Sequence, residues 1–179
     1  MWWLFFRLAI AAPTISAEGA RVQLETGAVL TADTAQVTSD GVVEATTVRA
    51  VDDAQSITIR ADHTRWNLNA KTSEMTGSVH AKQGDISVSC DKASLEYSSD
   101  KTVQRAVASG QVVVTRGGYR ATGEQAVLEE GRLTLTGNAK LSDGRSLMTG
   151  TRIVFVVGDE AVECDGCTIT VPPGPGGSR

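Results

Sequence analysis

Two histidines, a Cys-x-x-Cys and a few close carboxylates are the residues of this chain whose types could do chemistry. His63 and His80 could serve a hydrolase or a metal, but neither stands in an H-E-x-x-H helix or near a nucleophile elbow. Cys164 and Cys167 enclose Asp165-Gly166, the spacing of a redox pair or of half a zinc site. The redox motif opens a helix beside a βαβ unit, and zinc needs two more ligands. Neither context is visible, which leaves a local disulfide or two small buried side chains. Asp62 and Asp91 could pair for acid–base work, but they occupy equivalent places in an internal repeat, where a structural corner role is the simpler reading. Asp52-Asp53 and Glu129-Glu130 read as solvated turn charges. Arg116-Gly-Gly-Tyr-Arg120 could touch RNA, yet it reads as a hairpin turn. With no phosphate-binding loop either, the expectation is a non-enzyme without cofactor or metal.

The elements that would position these residues come as copies. An acidic or small polar anchor recurs every 27–33 residues, at Asp33, Asp62, Asp91, Glu124 and Thr151. Three positions before stand Leu30, Ile59, Val88, Ala121 and Met148. Two positions after stand Ala35, Thr64, Ala93, Ala126 and Ile153, and four after stand Val37, Trp66, Leu95, Leu128 and Phe155. Five copies imply a stack of supersecondary units sharing a continuous core, and they point to binding along a groove. Cys90 precedes an anchor where other copies carry Ala or Gly, and reads as a small core residue.

Strand signals dominate, as in Ile57-Thr-Ile59, Ile86-Ser-Val88-Ser-Cys90 and Leu133-Thr-Leu135, with turn chemistry at Ser39-Asp-Gly41, Gly117-Gly118 and Ser142-Asp-Gly144. Apolar residues alternate at −5, −3 and −1 from the anchor and resume at +2 and +4. The step of three breaks the period of two, so each unit needs a bulge or sharp corner at its anchor. A glycine opens the second half of the later units (Gly77, Gly110, Gly137, Gly166). Bent strands stacked in this way predict an all-β fold of two half-sheets meeting at an angle, with an apolar interior.

The 179 residues suit one domain, and 17 Lys and Arg against 21 Asp and Glu give a net charge of −4. The charges read as well mixed with no basic stripe, and aromatics are sparse, so no nucleic-acid partner is expected. Residues 1–17 are apolar apart from Arg7 and end in small residues. They read as a signal peptide with cleavage after Ala17, or as a short anchor, and either places the body outside the cytoplasm. Residues 18–171 form the body, and the Pro/Gly tail 172–179 is expected to be disordered.

The phrases Thr76-Gly-Ser-Val-His-Ala-Lys-Gln-Gly84, Ala108-Ser-Gly-Gln-Val-Val-Val114, Leu133-Thr-Leu-Thr-Gly-Asn-Ala139 and Met148-Thr-Gly-Thr-Arg-Ile-Val-Phe155 resemble the OstA-like domain of the lipopolysaccharide-transport proteins LptA and LptC, and LptA more closely. The resemblance runs from about Ser56 to Val171, with residues 20–50 as a weaker further unit. It implies a bent, open β-jelly roll of stacked two-strand repeats that carries lipopolysaccharide through the periplasm toward the outer membrane. It implies acyl chains in the interior, and other OstA-like proteins or further copies added head to tail at the edge strands. The family's lipid-facing isoleucine pair corresponds to Ile57 and Ile59. The expected inward set is Ile57, Ile59, Val79, Ile86, Val88, Val112, Val114, Leu128, Leu141 and Phe155, with Arg21–Leu30 and Gly166–Val171 as candidate edges. Small residues at +2 would keep the trough open and larger ones at −3 and +4 would wall it. The alternatives are a membrane-anchored LptC-like component and a structural β-solenoid that packs solid and carries no lipid.

Overall fold

A computed structural model describes residues 15–23, 29–53, 56–99, 102–156 and 162–171. Most of the expected signal segment and the whole tail from 172 lie outside these residues. The strands run in chain order as β1 (Ile15–Gln23), β2 (Val29–Val37), β3 (Val42–Asp52), β4 (Ile57–Asn67), β5 (Thr72–Gln83) and β6 (Ile86–Tyr97). They continue as β7 (Val103–Arg116), β8 (Tyr119–Glu129), β9 (Arg132–Ser142), β10 (Leu147–Val156), β11 (Val162–Asp165) and β12 (Thr168–Thr170). Each pairs antiparallel with its sequence neighbour in one meander from β1 to β11, and β12 also pairs with β10. The architecture is all-β, as the alternation requires.

The turns obey local chemistry. Glu130 and Gly131 both take positive φ (49° and 71°) between the paired Glu129 and Arg132, the two-residue hairpin whose twist matches its strands. At 143–146 the Asp143 carboxylate accepts from the backbone N–H groups of Ser146 and Arg145 at 2.6 and 2.8 Å. These bonds hold its carboxyl below the usual carboxylate range.

The corners follow the expected break in period. Along β4 the order is buried Ala61, exposed Asp62 and His63, buried Thr64; β6 and β8 repeat the exposed pair at Asp91-Lys92 and Glu124-Gln125, flanked by buried Cys90 and half-buried Ala93 in one and by half-buried Gly123 and buried Ala126 in the other. The extra residue sits on the facing strand. Register shifts fall between Thr76 and Val79 of β5, and between Ser109 and Val112 of β7. Gly77 and Ser78 have φ of 75° and 47°, Gly110 and Gln111 77° and 47°, and Gly137 and Asn138 72° and 53°. Two left-handed residues in a row form the bulge, and the first must be glycine for a second reason. The anchor's side chain lies across it: a Cβ on Gly77 would stand 2.8 Å from Asp62 Cβ, and one on Gly110 2.8 Å from Asp91 Cβ. The first unit lacks this glycine, and Thr47 takes the positive φ (51°) alone.

Among the described residues there is one sheet and no second layer, yet Leu135, Ala139 and Ile153 have no exposed surface. A lone sheet can exclude water from one face only by folding on itself, so the corners bring its two halves together over a shared interior. The main cluster joins residues of one half-sheet (Val79, Val112, Val114) to residues of the other (Ala126, Leu135, Ile153). A smaller cluster of Ala32, Ala45 and Val48, backed by Leu30 and Trp66, serves the β2–β4 end.

Candidate functional site

The interior is built in rows that cross the strands. The +2 row passes Ala35, Ala45, Thr64, Met75, Ala93, Ala108, Ala126, Leu135 and Ile153 by direct cross-strand pairing. Apart from Met75 on β5 its side chains are small from β2 to β8, and it is bulky at β9 and β10. The −3 row runs Leu30, Ala50, Ile59, Ala81, Val88, Val114, Ala121 and Leu141, and the +4 row runs Val37, Val43, Trp66, Ser73, Leu95, Ala106, Leu128, Leu133 and Phe155. A mostly small floor lies between two rows in which large side chains alternate with small ones (Ala50, Ala81 and Ala121 in one, Ser73 and Ala106 in the other), a trough filled in at its C-terminal end.

All ten expected inward residues are on this face. Val79, Val112 and Val114 are buried, and Ile59, Ile86, Val88, Leu141 and Phe155 are half-buried against the same cluster. Ile57 and Leu128 are half-buried at the strand ends, outside the cluster. Met75, Leu135 and Ile153, absent from the expected set, are among its buried members. Their alternation signalled an inward face, but only the register aligns them with the floor. Residues of both walls, among them Ile59, Val88, Leu95, Leu133 and Phe155, pack against one buried cluster, and depressions of about 310 and 270 Å³ lie mainly among outward polar side chains, such as Thr46 and His63 or Gln111 and Lys140.

One polar atom faces the apolar floor without a partner. Thr64 is 3% exposed, and its Oγ1 has no hydrogen bond. An orphaned buried hydroxyl carries its desolvation cost uncompensated. Thr64→Val is therefore expected to raise stability by about 1 kcal/mol, read as a higher urea midpoint at unchanged slope. A lower midpoint would mean that the hydroxyl is satisfied in solution. Ser73, by contrast, shares a hydrogen bond of 3.1 Å with Tyr97 Oη.

The other chemistry-bearing residues act elsewhere. His63 is exposed between Thr46 and Thr76 on the outer face, and His80 Nδ1 lies 3.3 Å from Ser89 Oγ. Asp62 and Asp91 cover the bulge glycines of separate corners, which makes them corner residues and not an acid–base pair. Cys164 and Cys167 are joined in a disulfide, so the alternative of two small buried side chains is corrected. The bond closes the last corner around Gly166, where Thr151 takes the anchor's place. A Cβ at Gly150 would come within 2.7 and 2.9 Å of its two sulfurs. Cys90 is buried, and desolvation raises its thiol above the ordinary value, so it stays a protonated core side chain. Among the described residues no cluster of His, Cys, Asp or Glu could hold a metal ion.

Both sheet edges are open among the described residues. The first edge is β1, so Arg21–Leu30 is not an edge strand: it joins the end of β1 to the start of β2, with 24–28 outside the described residues. The last edge is a broken strand, β11 on the far half of β10 and β12 on the near half. Gly166–Val171 covers only its second piece.

A family model described as LptA/(LptD N-terminal domain) LPS transport protein matches residues 58–160. The chain belongs to this lipopolysaccharide-transport family. The match begins within β4 and ends beyond β10, so it takes in the main cluster and the three carboxylate–glycine corners. The crystal structure of LptH, the LptA-homologous periplasmic component of the lipopolysaccharide transport device of Pseudomonas aeruginosa, aligns with a TM-score of 0.61 at 16% identity, covering 68% of this chain and 99% of that one. At that identity the likeness concerns the fold, which is that of an LptA-type open β-jelly roll. Comparison with curated proteins gave no match.

Proposed function

We propose that this chain is a periplasmic, non-enzymatic bridge component that carries lipopolysaccharide toward the outer membrane, with the acyl chains between its two half-sheets. The observation that carries the reading is the floor, mostly of small residues from β2 to β8, between apolar walls in a sheet whose ends are unpaired among the described residues. An acyl chain gains about 0.8 kcal/mol for each CH₂ it buries, so a trough several strands long binds it without any specific polar contact. Residues of both walls pack against one buried cluster, so cargo enters by parting the half-sheets. A sheet hinged at bulges and bonded between sequential strands from β1 to β11 can open in this way without losing a ladder.

Open edges extend the trough beyond one molecule. The unpaired N–H and C=O groups of β1 and of β11–β12 can each take a partner strand, from another OstA-like transport protein or from a second copy placed head to tail. No step needs a reacting group on this chain, and the drive for movement comes from partners. Native mass spectrometry of the exported protein from lipopolysaccharide-producing cells tests the reading. A population carrying the added mass of one lipopolysaccharide is expected. A lipid-free protein that also takes up none on titration would contradict it and favour a structural β-stack.

A further inference from the structure

Cations that look evenly mixed in the sequence are gathered by the fold. The outward rows at −2 and −4 hold Arg21, Arg49, Arg60, Lys82, Arg120 and Lys140, all exposed, together with His80. Neither row contains an Asp or Glu from β1 to β12. Their other members are mostly hydroxyls, such as Thr58, Ser87 and Thr115. The outer half-face beyond the corners is different. There Arg65 pairs with Glu44, Lys92 with Glu74, Arg105 with Glu96 and Glu129, Arg132 with Glu163, and Arg152 with Asp165. None of the six cations before the corners joins an ion pair found among the described residues.

The arrangement costs something. Arg49 and Arg60 stand directly opposite each other on β3 and β4, and like charges in that relation destabilise a strand pair. Asp33, Asp62, Asp91 and Glu124 line the corner row on one side of these cations, and Asp52, Asp53, Asp85 and Asp143 stand in the strand-end turns on the other, where Asp85 lies 3.7 Å from Arg116. From Arg21 on β1 to Lys140 on β9 the cations spread over eight strand steps, about 40 Å at the usual strand spacing. They stand on separate strands instead of converging on a point. A single phosphate would meet one or two of them, whereas a planar anionic surface meets them together.

We infer that this hydroxyl-and-cation half-face docks the protein on an anionic bilayer surface. The face borders the mouth of the trough, because the −4 row lies at the strand ends beside Ile57 and Ile86. Docking there sets the trough's opening against the lipid headgroups. The inference stands independently of which lipid the trough carries. The protein as a whole is acidic, so adsorption to a negative membrane requires this one orientation.

The test is co-sedimentation of the full chain with phosphatidylglycerol-rich vesicles and with pure phosphatidylcholine vesicles. Binding to the first alone is expected, with release in about 0.5 M NaCl as the charges are screened. Arg49→Gln with Arg60→Gln should weaken it on the order of tenfold, while Arg65→Gln with Lys92→Gln from the paired half-face should not. All four positions are exposed, and circular dichroism would verify the fold of each variant. Equal, salt-insensitive binding to both vesicles would overturn the inference by pointing to the apolar N-terminal residues. So would an unaffected Arg49/Arg60 variant. Loss of binding to lipopolysaccharide micelles without loss on phosphatidylglycerol would also overturn it, assigning the face to the cargo's own anionic groups.

Discussion

Gly110→Ala should destabilise the fold by roughly 2–4 kcal/mol, a large share of the 5–15 kcal/mol typical of a folded domain. Two effects add. A Cβ at φ 77° lies in the left-handed region, which costs an L-residue about 1–2 kcal/mol. The same atom would sit 2.8 Å from Asp91 Cβ, closer than real Cβ contacts come, and both atoms are fixed by their strands. Chemical denaturation reads the loss directly. Adding Asp91→Gly to the variant removes the clash but not the backbone strain, so about half the loss should return. Gly84→Ala is the control, because nothing approaches within 4 Å there and only the strain applies. Equal losses at 84 and 110 would show that the anchor does not cover the corner glycine.

Ala108→Phe should cut lipopolysaccharide binding by an order of magnitude or more while leaving the protein folded. Ala108 lies in the small-residue floor between Ala93 and Ala126, half-buried, with the walls on either side. A phenyl group there fills the space an acyl chain would occupy, and overpacking costs about 1–3 kcal/mol. A chain that loses several CH₂ contacts at about 0.8 kcal/mol each loses more than tenfold in affinity. Leu133→Phe adds less bulk, and adds it on a wall, and should have a smaller effect. The two affinities, measured by titration alongside urea midpoints, separate blockage from unfolding. Unchanged binding by Ala108→Phe would place the cargo outside the trough.

The class of fold was legible because each device leaves a mark along the chain. Alternation gave strands, the step of three around Asp62 and Asp91 gave corners, and recurring glycines gave the start of each second half. What needed two strands at once was not legible. Gly77 and Asp62 are both visible in the sequence, but their contact follows from the register of β4 on β5. The cation half-face escaped notice for the same reason: Arg49, Arg60 and Lys82 are separated by 11 and 22 residues of mixed charge, and only the ladder makes them neighbours. The floor at Met75, Leu135 and Ile153 required knowing which apolar row lies deepest. The N-terminal edge was misplaced because the first unit lacks the corner glycine, so β1 and β2 carried the weakest pattern. The Cys164–Cys167 bond replaces a carboxylate–glycine corner, a substitution the repeat alone gave no reason to expect.

The central claim is that lipopolysaccharide lies between the two half-sheets, and site-specific photocrosslinking in cells making labelled lipopolysaccharide tests it most directly. A photoreactive residue would replace Ile59 or Val88 on the half-buried wall, or outward His63 as the control. Crosslinks at Ile59 and Val88 with none at His63 are the predicted result. Labelling at His63 alone, or at none of the three in a folded and exported protein, would contradict the account.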